Sequence, residues 1–145
     1  KVVRENICEP NEVMYAAVMN GLSKRGHTDK TLSLLRLMEK GNTKPDTVIY
    51  SIVIDAFCKD ENLDAAISLL NEMKLKGVPP DVVTYSSLID GLCKLGRWEE
   101  VKTTFSETVS LNIYPDVHIF TMLIDGLCKE GKIEDAEEIM RYMVE

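Results

Sequence analysis

The sequence is poor in the residues that build most metal and catalytic centres. It holds two histidines, His27 and His118, and no Cys-x-x-Cys pair among its four cysteines, so the ligand spacings of a zinc site are missing. There is no Gly-rich phosphate loop and no Ser-His-Asp set, and the densest acidic clusters (Glu99-Glu100, Glu134-Asp135, Glu137-Glu138) carry no histidine beside them. These clusters read as solvated helix faces, and no cofactor, metal or enzymatic activity is expected. Apolar runs are short. None approaches the roughly 20 residues of a membrane-crossing helix, although 45% of residues are hydrophobic. A basic excess is lacking too: the formal charge of -7 excludes a uniformly basic nucleic-acid coat and makes any polyanion site depend on where the positive charges lie. Nothing resembles a targeting peptide, and the chain starts at Lys1 without an initiator Met, so a soluble piece of a longer array with no membrane partner is expected.

What the sequence has instead is repetition. The phrase Leu-Ile-Asp-Gly-Leu-Cys-Lys spans Leu88 to Lys94 and returns letter for letter at Leu123 to Lys129, 35 residues on. Looser copies run from Val53 to Lys59 and from Val18 to Lys24. A fixed period of this length marks a solenoid, whose units bury their apolar faces only against neighbours. Aligned on Pro-Asp, the units are residues 12–46, 47–81, 82–116 and an incomplete 117–145, with 1–11 closing a truncated unit, and each is preceded by a turn at Pro10, Pro45, Pro80 or Pro115.

Within a unit, Tyr85, Leu88, Ile89 and Leu92 fall on one stripe of a first helix, A, and Tyr50, Val53, Ile54 and Phe57 repeat it. Helix A should end at Gly26, Gly96 and Gly131, with Glu61 in that place in the second unit. A second amphipathic helix, B, follows, with acids in its first turn. Its core series are Leu35, Leu70, Phe105, Met140 and Met38, Met73, Met143, the latter broken by Thr108. Gly21, Ala56, Gly91 and Gly126 put a minimal side chain in every helix A at a cost of about 1 kcal/mol for Gly, which predicts another backbone passing close by. Cys58, Cys93 and Cys128 sit at equivalent points of stacked helices about 8–10 Å apart, too far to bridge, and are expected to be small buried thiols. The predicted fold is all-α, a right-handed superhelical solenoid of helix-turn-helix repeats. Neither end looks like a polar cap, so further repeats or self-association through the ends are expected.

The tetratricopeptide repeat has a period of 34 and a Trp-x-x-Leu-Gly-x-x-Tyr signature that is absent; the single Trp98 lies in a helix B. The pattern Val-Val-Thr-Tyr-Ser-Ser-Leu-Ile-Asp-Gly-Leu-Cys-Lys (Val82 to Lys94), closed by Pro115-Asp116 after 35 residues, resembles the pentatricopeptide repeat family in its plain 35-residue form. The resemblance covers nearly the whole chain. It implies single-stranded RNA as partner, one base per repeat. The implied base-selecting residues are those after the helix A aromatic, Ala16, Ser51, Ser86 and Thr121, with the unit-closing Asn11, Asp46, Asp81 and Asp116. A carboxylate accepts only, which suits the N–H donors of guanine or uracil, and in the family a small hydroxyl partner selects the purine. Ser51 with Asp81, and Ser86 with Asp116, therefore imply guanine. Ala16 with Asp46 implies a weaker guanine preference, and Thr121 a purine.

The same resemblance makes Val13, Val48, Val83 and His118 the side chains that sandwich each base, and Lys24, Lys59, Lys94 and Lys129 a phosphate-contacting ladder. Simpler roles compete. The aspartates follow proline and precede a helix, where Asp caps or turns. Asp55, Asp90 and Asp125 stand four residues before three of the lysines, a spacing for ion pairs along one helix. His118 could stack on a base or be incidental. The regular units are most similar to the restorer-of-fertility-like branch of this plant family, which implies mitochondria, with chloroplasts the alternative, and a non-enzymatic adaptor that works with other RNA-processing proteins. A protein-binding helical scaffold is the alternative function.

Overall fold

A computed structural model describes residues 11–41, 43–113 and 117–144, without the side chains of 142–144. Asp116, Pro115 and the first ten residues, Pro10 among them, therefore lie outside the described residues, as does the side chain of Met143. The helices are α1 (Glu12–Lys24), α2 (Thr28–Lys40), α3 (Thr47–Lys59), α4 (Leu63–Leu75), α5 (Val82–Lys94), α6 (Trp98–Ser110), α7 (Val117–Lys129) and α8 (Ile133–Val144). Among the described residues there is no strand, and no helix is long and apolar enough to cross a membrane. The odd-numbered helices are the A helices and the even-numbered ones the B helices of the sequence pattern.

Helices α1, α3 and α5 start where a side chain can satisfy their first amides. Asn11, Asp46 and Asp81 are N-caps whose side chains accept from the amides of Met14, Ile49 and Thr84 at 3.0, 3.0 and 3.1 Å. Helix α3 ends in a Schellman turn, with the Asn62 amide donating to the Phe57 carbonyl at 2.9 Å and Glu61 in the left-handed region at φ 63°. Gly26, Gly96 and Gly131 occupy the same place at φ 71–80°, so Glu61 takes on strain that glycine avoids.

One continuous core runs from Met19 to Ile139. The stripe Tyr85, Leu88, Ile89, Leu92 is at most 1% exposed, as its spacing predicts. Consecutive A helices pack directly on one another, whereas each B helix packs on its own A helix and, for α2, α4 and, through Trp98 and Phe105, α6, on the next. A helices thus form one wall and B helices the other. Two core expectations need correcting at the end of the stack: Met140 is exposed rather than core, and Cys128 is exposed while Cys58 is buried, because among the described residues no other unit covers α7 as α5 covers α3. Burial pushes the Cys58 thiol up to about 12, with Asp55 and Asp90 adding to the effect. Thr108 keeps its place in the methionine series by donating its buried hydroxyl to the Phe105 carbonyl at 2.6 Å.

The small residues of the A helices also differ from expectation: what lies against them is side chain, not backbone. A Cβ on Gly91 would meet Leu63 Cδ1 at 3.2 Å and Cys58 Cβ at 3.3 Å, and one on Gly126 would run into the Trp98 ring, with Cζ2 at 3.0 Å and Cη2 closer still. At Gly21 the space is open. Trp98 occupies the position of Leu63 one unit later, so its larger ring makes the glycine opposite it indispensable.

Ion pairs stitch neighbouring B helices together. Arg36 of α2 forks onto Glu72 of α4, through Nη1–Oε2 at 2.5 Å and Nη2–Oε1 at 3.0 Å, and Lys76 reaches Glu39 at 2.6 Å and Glu72 at 3.1 Å. Arg97 pairs with Asp64 at 2.8 Å and Lys102 with Asp135 at 3.4 Å. Lys74 and the Tyr85 hydroxyl both donate to Glu107, and the Tyr50 hydroxyl donates to Glu39 at 3.3 Å. Hydrogen bonds from Arg36, then from Lys76, outweigh burial and hold the Glu72 carboxyl at about 2.

Two predictions follow from this packing. Gly126→Ala should destabilise the chain by about 1–3 kcal/mol, the usual cost of overpacking. Because a Leu in place of Trp98 would restore the milder Leu63–Gly91 fit, the added cost of Gly126→Ala in a Trp98→Leu background should fall below about 1 kcal/mol, measured by urea denaturation. Glu72 has a folded pKa below its ordinary 4.5, so its stabilisation is present above that pH and lost as pH falls through about 2. Glu72→Gln should therefore be less stable than the parent by about 1 kcal/mol at pH 7, with the gap closing across that acid window when unfolding midpoints are compared.

Candidate nucleic-acid interface

The wall of A helices carries a cleft of about 360 Å³ lined by Val48, Ser51, Ile52 and Asp55 of α3, Asp81 and Val83 at the start of α5, Ser87 of α5 and Asn20 of α1. Val48, Ser51, Ile52 and Asp55 follow one helical stripe, which is how one face of α3 comes to line it. Ser51, at 6% exposure, forms its floor, while Asp81 is exposed at its rim. Val48 and Val83 are each 56% exposed, which is unusual for valine and leaves two bare apolar faces in one opening. The cleft thus brings together four residues of the sequence-derived set, Val48, Ser51 and the closing Asp81 from one unit and Val83 from the next. Asn20, Ile52, Asp55 and Ser87 were not in that set, though four-residue steps from Ala16, Val48, Ser51 and Val83 reach them.

The polar groups of the cleft are tied into one chain. Asp81 Oδ1 accepts from the Thr84 amide and from the Thr84 hydroxyl, both at 3.1 Å, and Thr84 Oγ1 accepts from the Asp81 amide at 3.3 Å, completing a capping box. Thr84 Oγ1 is also 2.6 Å from Ser51 Oγ. Capping uses Oδ1 of Asp81 alone, so a carboxylate oxygen is left for the opening. The structural role of the aspartates and their availability in the cleft therefore coexist.

The other units present the set less completely. Asn11 and Asp46 cap α1 and α3, with Ala16 half-buried and Val13 73% exposed. Ser86 is half-buried, its sequence partner Asp116 lies outside the described residues, and Thr121 and His118 are exposed on α7. The lysines are largely exposed, yet three are engaged: Lys59 with Asp55 at 3.0 Å, Lys94 with Asp90 at 3.2 Å and Lys129 with Asp125 at 3.0 Å. Lys24, with Asn20 four residues before it, has no ion pair among the described residues. The pairing along one helix is thus present, with Lys side-chain exposures of 63–75% that keep the ammonium groups at the surface. Among the described residues no group of three or more His, Cys, Asp or Glu side chains could hold a metal ion.

Known proteins share both pattern and shape. Profiles described as PPR repeat family match residues 10–59 and 45–94, and profiles described as PPR repeat match 83–113 and 111–144. No curated protein matches the chain. Among solved structures, the pentatricopeptide repeat protein PPR10 in complex with an 18-nt psaJ RNA element superposes with a TM-score of 0.80 at 25% identity, over 90% of this chain and 19% of that one. PPR10 from maize without that ligand in its description gives 0.78 at 24%, over 97% of this chain and 20% of that one. The PPR domain of Arabidopsis thaliana protein-only RNase P 1 in complex with tRNA gives 0.79 at 14%, over 98% and 77%, a likeness of fold alone. The chain spans about a fifth of the length of PPR10. The 35-residue units, the wall of stacked A helices and profile matches running from residue 10 to residue 144 mean that this chain belongs to the pentatricopeptide repeat family.

Proposed function

We propose that this chain is a non-enzymatic adaptor that binds single-stranded RNA, one base per repeat, with guanine favoured by Ser51 with Asp81 and by Ser86 with Asp116. The observation that carries the reading is the cleft between α3 and α5, where two exposed valines flank a hydroxyl and a carboxylate. An unstacked base offers two apolar faces and a polar edge, and the cleft offers the complement of both. That PPR10 is described in complex with RNA supports the same reading for this family member. With protein and strand parallel, the implied core is 5′-GG-3′, preceded by a weaker guanine preference from Ala16 with Asp46 and followed by a purine from Thr121. The setting we propose is organellar RNA processing or stability, in mitochondria or chloroplasts of the restorer-of-fertility-like branch, alongside other RNA-processing proteins.

The base-reading part is tested by fluorescence anisotropy with oligouridine carrying GG, AA or CC at its centre. GG should bind roughly a hundredfold tighter, about tenfold for each of the two sites, within the range of one well-matched base edge per site. Asp81→Asn keeps the N-cap but replaces an acceptor-only group by one that also donates. It should move the preference at the first G toward A. A protein that binds none of the three strands would support the protein-binding scaffold instead.

The lysines give a separate prediction. Four phosphate contacts on a single strand correspond to a slope of log K on log salt of about -3. With Lys59, Lys94 and Lys129 held by their own aspartates, the measured slope should be shallower. Replacing Asp55, Asp90 and Asp125 together by Asn should tighten binding about three- to tenfold, the summed worth of three such pairs. A zero slope would remove the lysines from the interface.

A further inference from the structure

The two Ser/Asp pairs look identical in sequence, but the structure sets one of them apart. Resting on the base-reading role proposed above, we infer that Thr84 is a specificity-determining positioning residue, which fixes the Ser51 hydroxyl so that Ser51 and Asp81 present only acceptors to the cleft.

The argument is a count of protons. Thr84 has a single hydroxyl proton and is fully buried. Its Oγ1 lies 3.1 Å from Asp81 Oδ1, and an ionised carboxylate can only accept, so the proton goes there. Ser51 Oγ lies 2.6 Å from the same Oγ1, close enough to require a proton between them. Thr84 has none left, so Ser51 must supply its own. The Ser51 hydroxyl is then spent inward, and its lone pairs face the opening. Asp81, which lines the same cleft, keeps a second carboxylate oxygen that capping does not use. Two acceptors side by side complement two adjacent N–H donors, and among the four RNA bases only guanine carries that pair, N1–H and N2–H, on its Watson–Crick edge. Adenine places an acceptor, N1, where Ser51 would have to donate.

Nothing equivalent serves the other sites. The residue at the place of Thr84 is Met14, Ile49 or Ile119 in the remaining units, none with a hydroxyl. Ile49 lies beside Asp46, whose partner Ala16 has no hydroxyl in any case. Ser86 would look to Ile119, so its hydroxyl keeps freedom to donate or accept. The repeat read by Ser51 and Asp81 should therefore reject adenine more sharply than the repeat containing Ser86.

Anisotropy titrations with oligouridine carrying GG, AG or GA separate the two sites, the first base reporting Ser51 with Asp81 and the second Ser86. The parent protein should lose more affinity on AG than on GA. Thr84→Val, nearly equal in shape but without the hydroxyl, should cut the GG-over-AG ratio about tenfold and leave GG-over-GA unchanged. Thr84→Ser, which keeps the hydroxyl, should retain the parent ratio. Ile119→Thr should raise GG-over-GA at the second site. If the parent prefers GG but Thr84→Val leaves both ratios alone, or Thr84→Ser behaves like Thr84→Val, the inference is overturned while guanine reading stands. If the parent shows no guanine preference, guanine reading falls and the inference with it. Should Thr84→Val fail to fold, Ile119→Thr decides: an unchanged GG-over-GA ratio overturns the inference.

Discussion

Everything in this molecule depends on how closely one A helix can lie against the unit before it. A unit of two helices cannot bury its own apolar stripe; α3 becomes core because α1 lies on one side and α5 on the other. The distance of approach is set by pairs of unequal side chains. Gly91 accepts Leu63 and Cys58, and Gly126 accepts the much larger ring of Trp98. Trp98 carries a cost of its own, since its indole N–H is buried without an acceptor among the described residues. The same close approach that builds the core brings Ser51 of one unit within reach of Thr84 of the next and of the Asp81 that caps its helix, so packing and the polar cleft share one geometric cause.

The N-caps are used twice. A helix needs its first amides satisfied, and Asn11, Asp46 and Asp81 do this with one oxygen each. At Asp81, which stands at the edge of the cleft, capping leaves the second carboxylate oxygen unused, so one side chain can both hold the helix start and line the opening.

Charge is divided between the two walls. On the B helices, acids and bases from neighbouring units meet across the stack, as Arg36 with Glu72 and Arg97 with Asp64 do, and these pairs tie units whose B helices pack little directly. On the A helices, the pairs stay within one helix and hold the lysines beside their own aspartates. The total of -7 thus conceals a row of ammonium groups whose availability is a matter of exchange between an internal carboxylate and an external anion.

Patterns that repeat within a few residues could be read directly. The stripe Tyr85, Leu88, Ile89, Leu92, the cap aspartates, the left-handed position shared by Gly26 and Glu61, and the lysine–aspartate spacing all rest on contacts one helical turn or less apart, so periodicity and residue chemistry suffice. Contacts between units were less legible. The small residues at 91 and 126 signalled closeness, yet not that Leu63 and Trp98 supply it, because nothing local says which side chain of another helix will arrive. Met140 and Cys128 matched their series but are exposed, since burial belongs to the neighbour and not to the residue. The hydroxyl chain from Ser51 through Thr84 to Asp81 spans 33 residues between its serine and its threonine. Local order alone dictated the helices and their ends; the partner that the Ser51 hydroxyl meets was settled only when two helices came together, because a hydroxyl takes its role from whichever partner it meets.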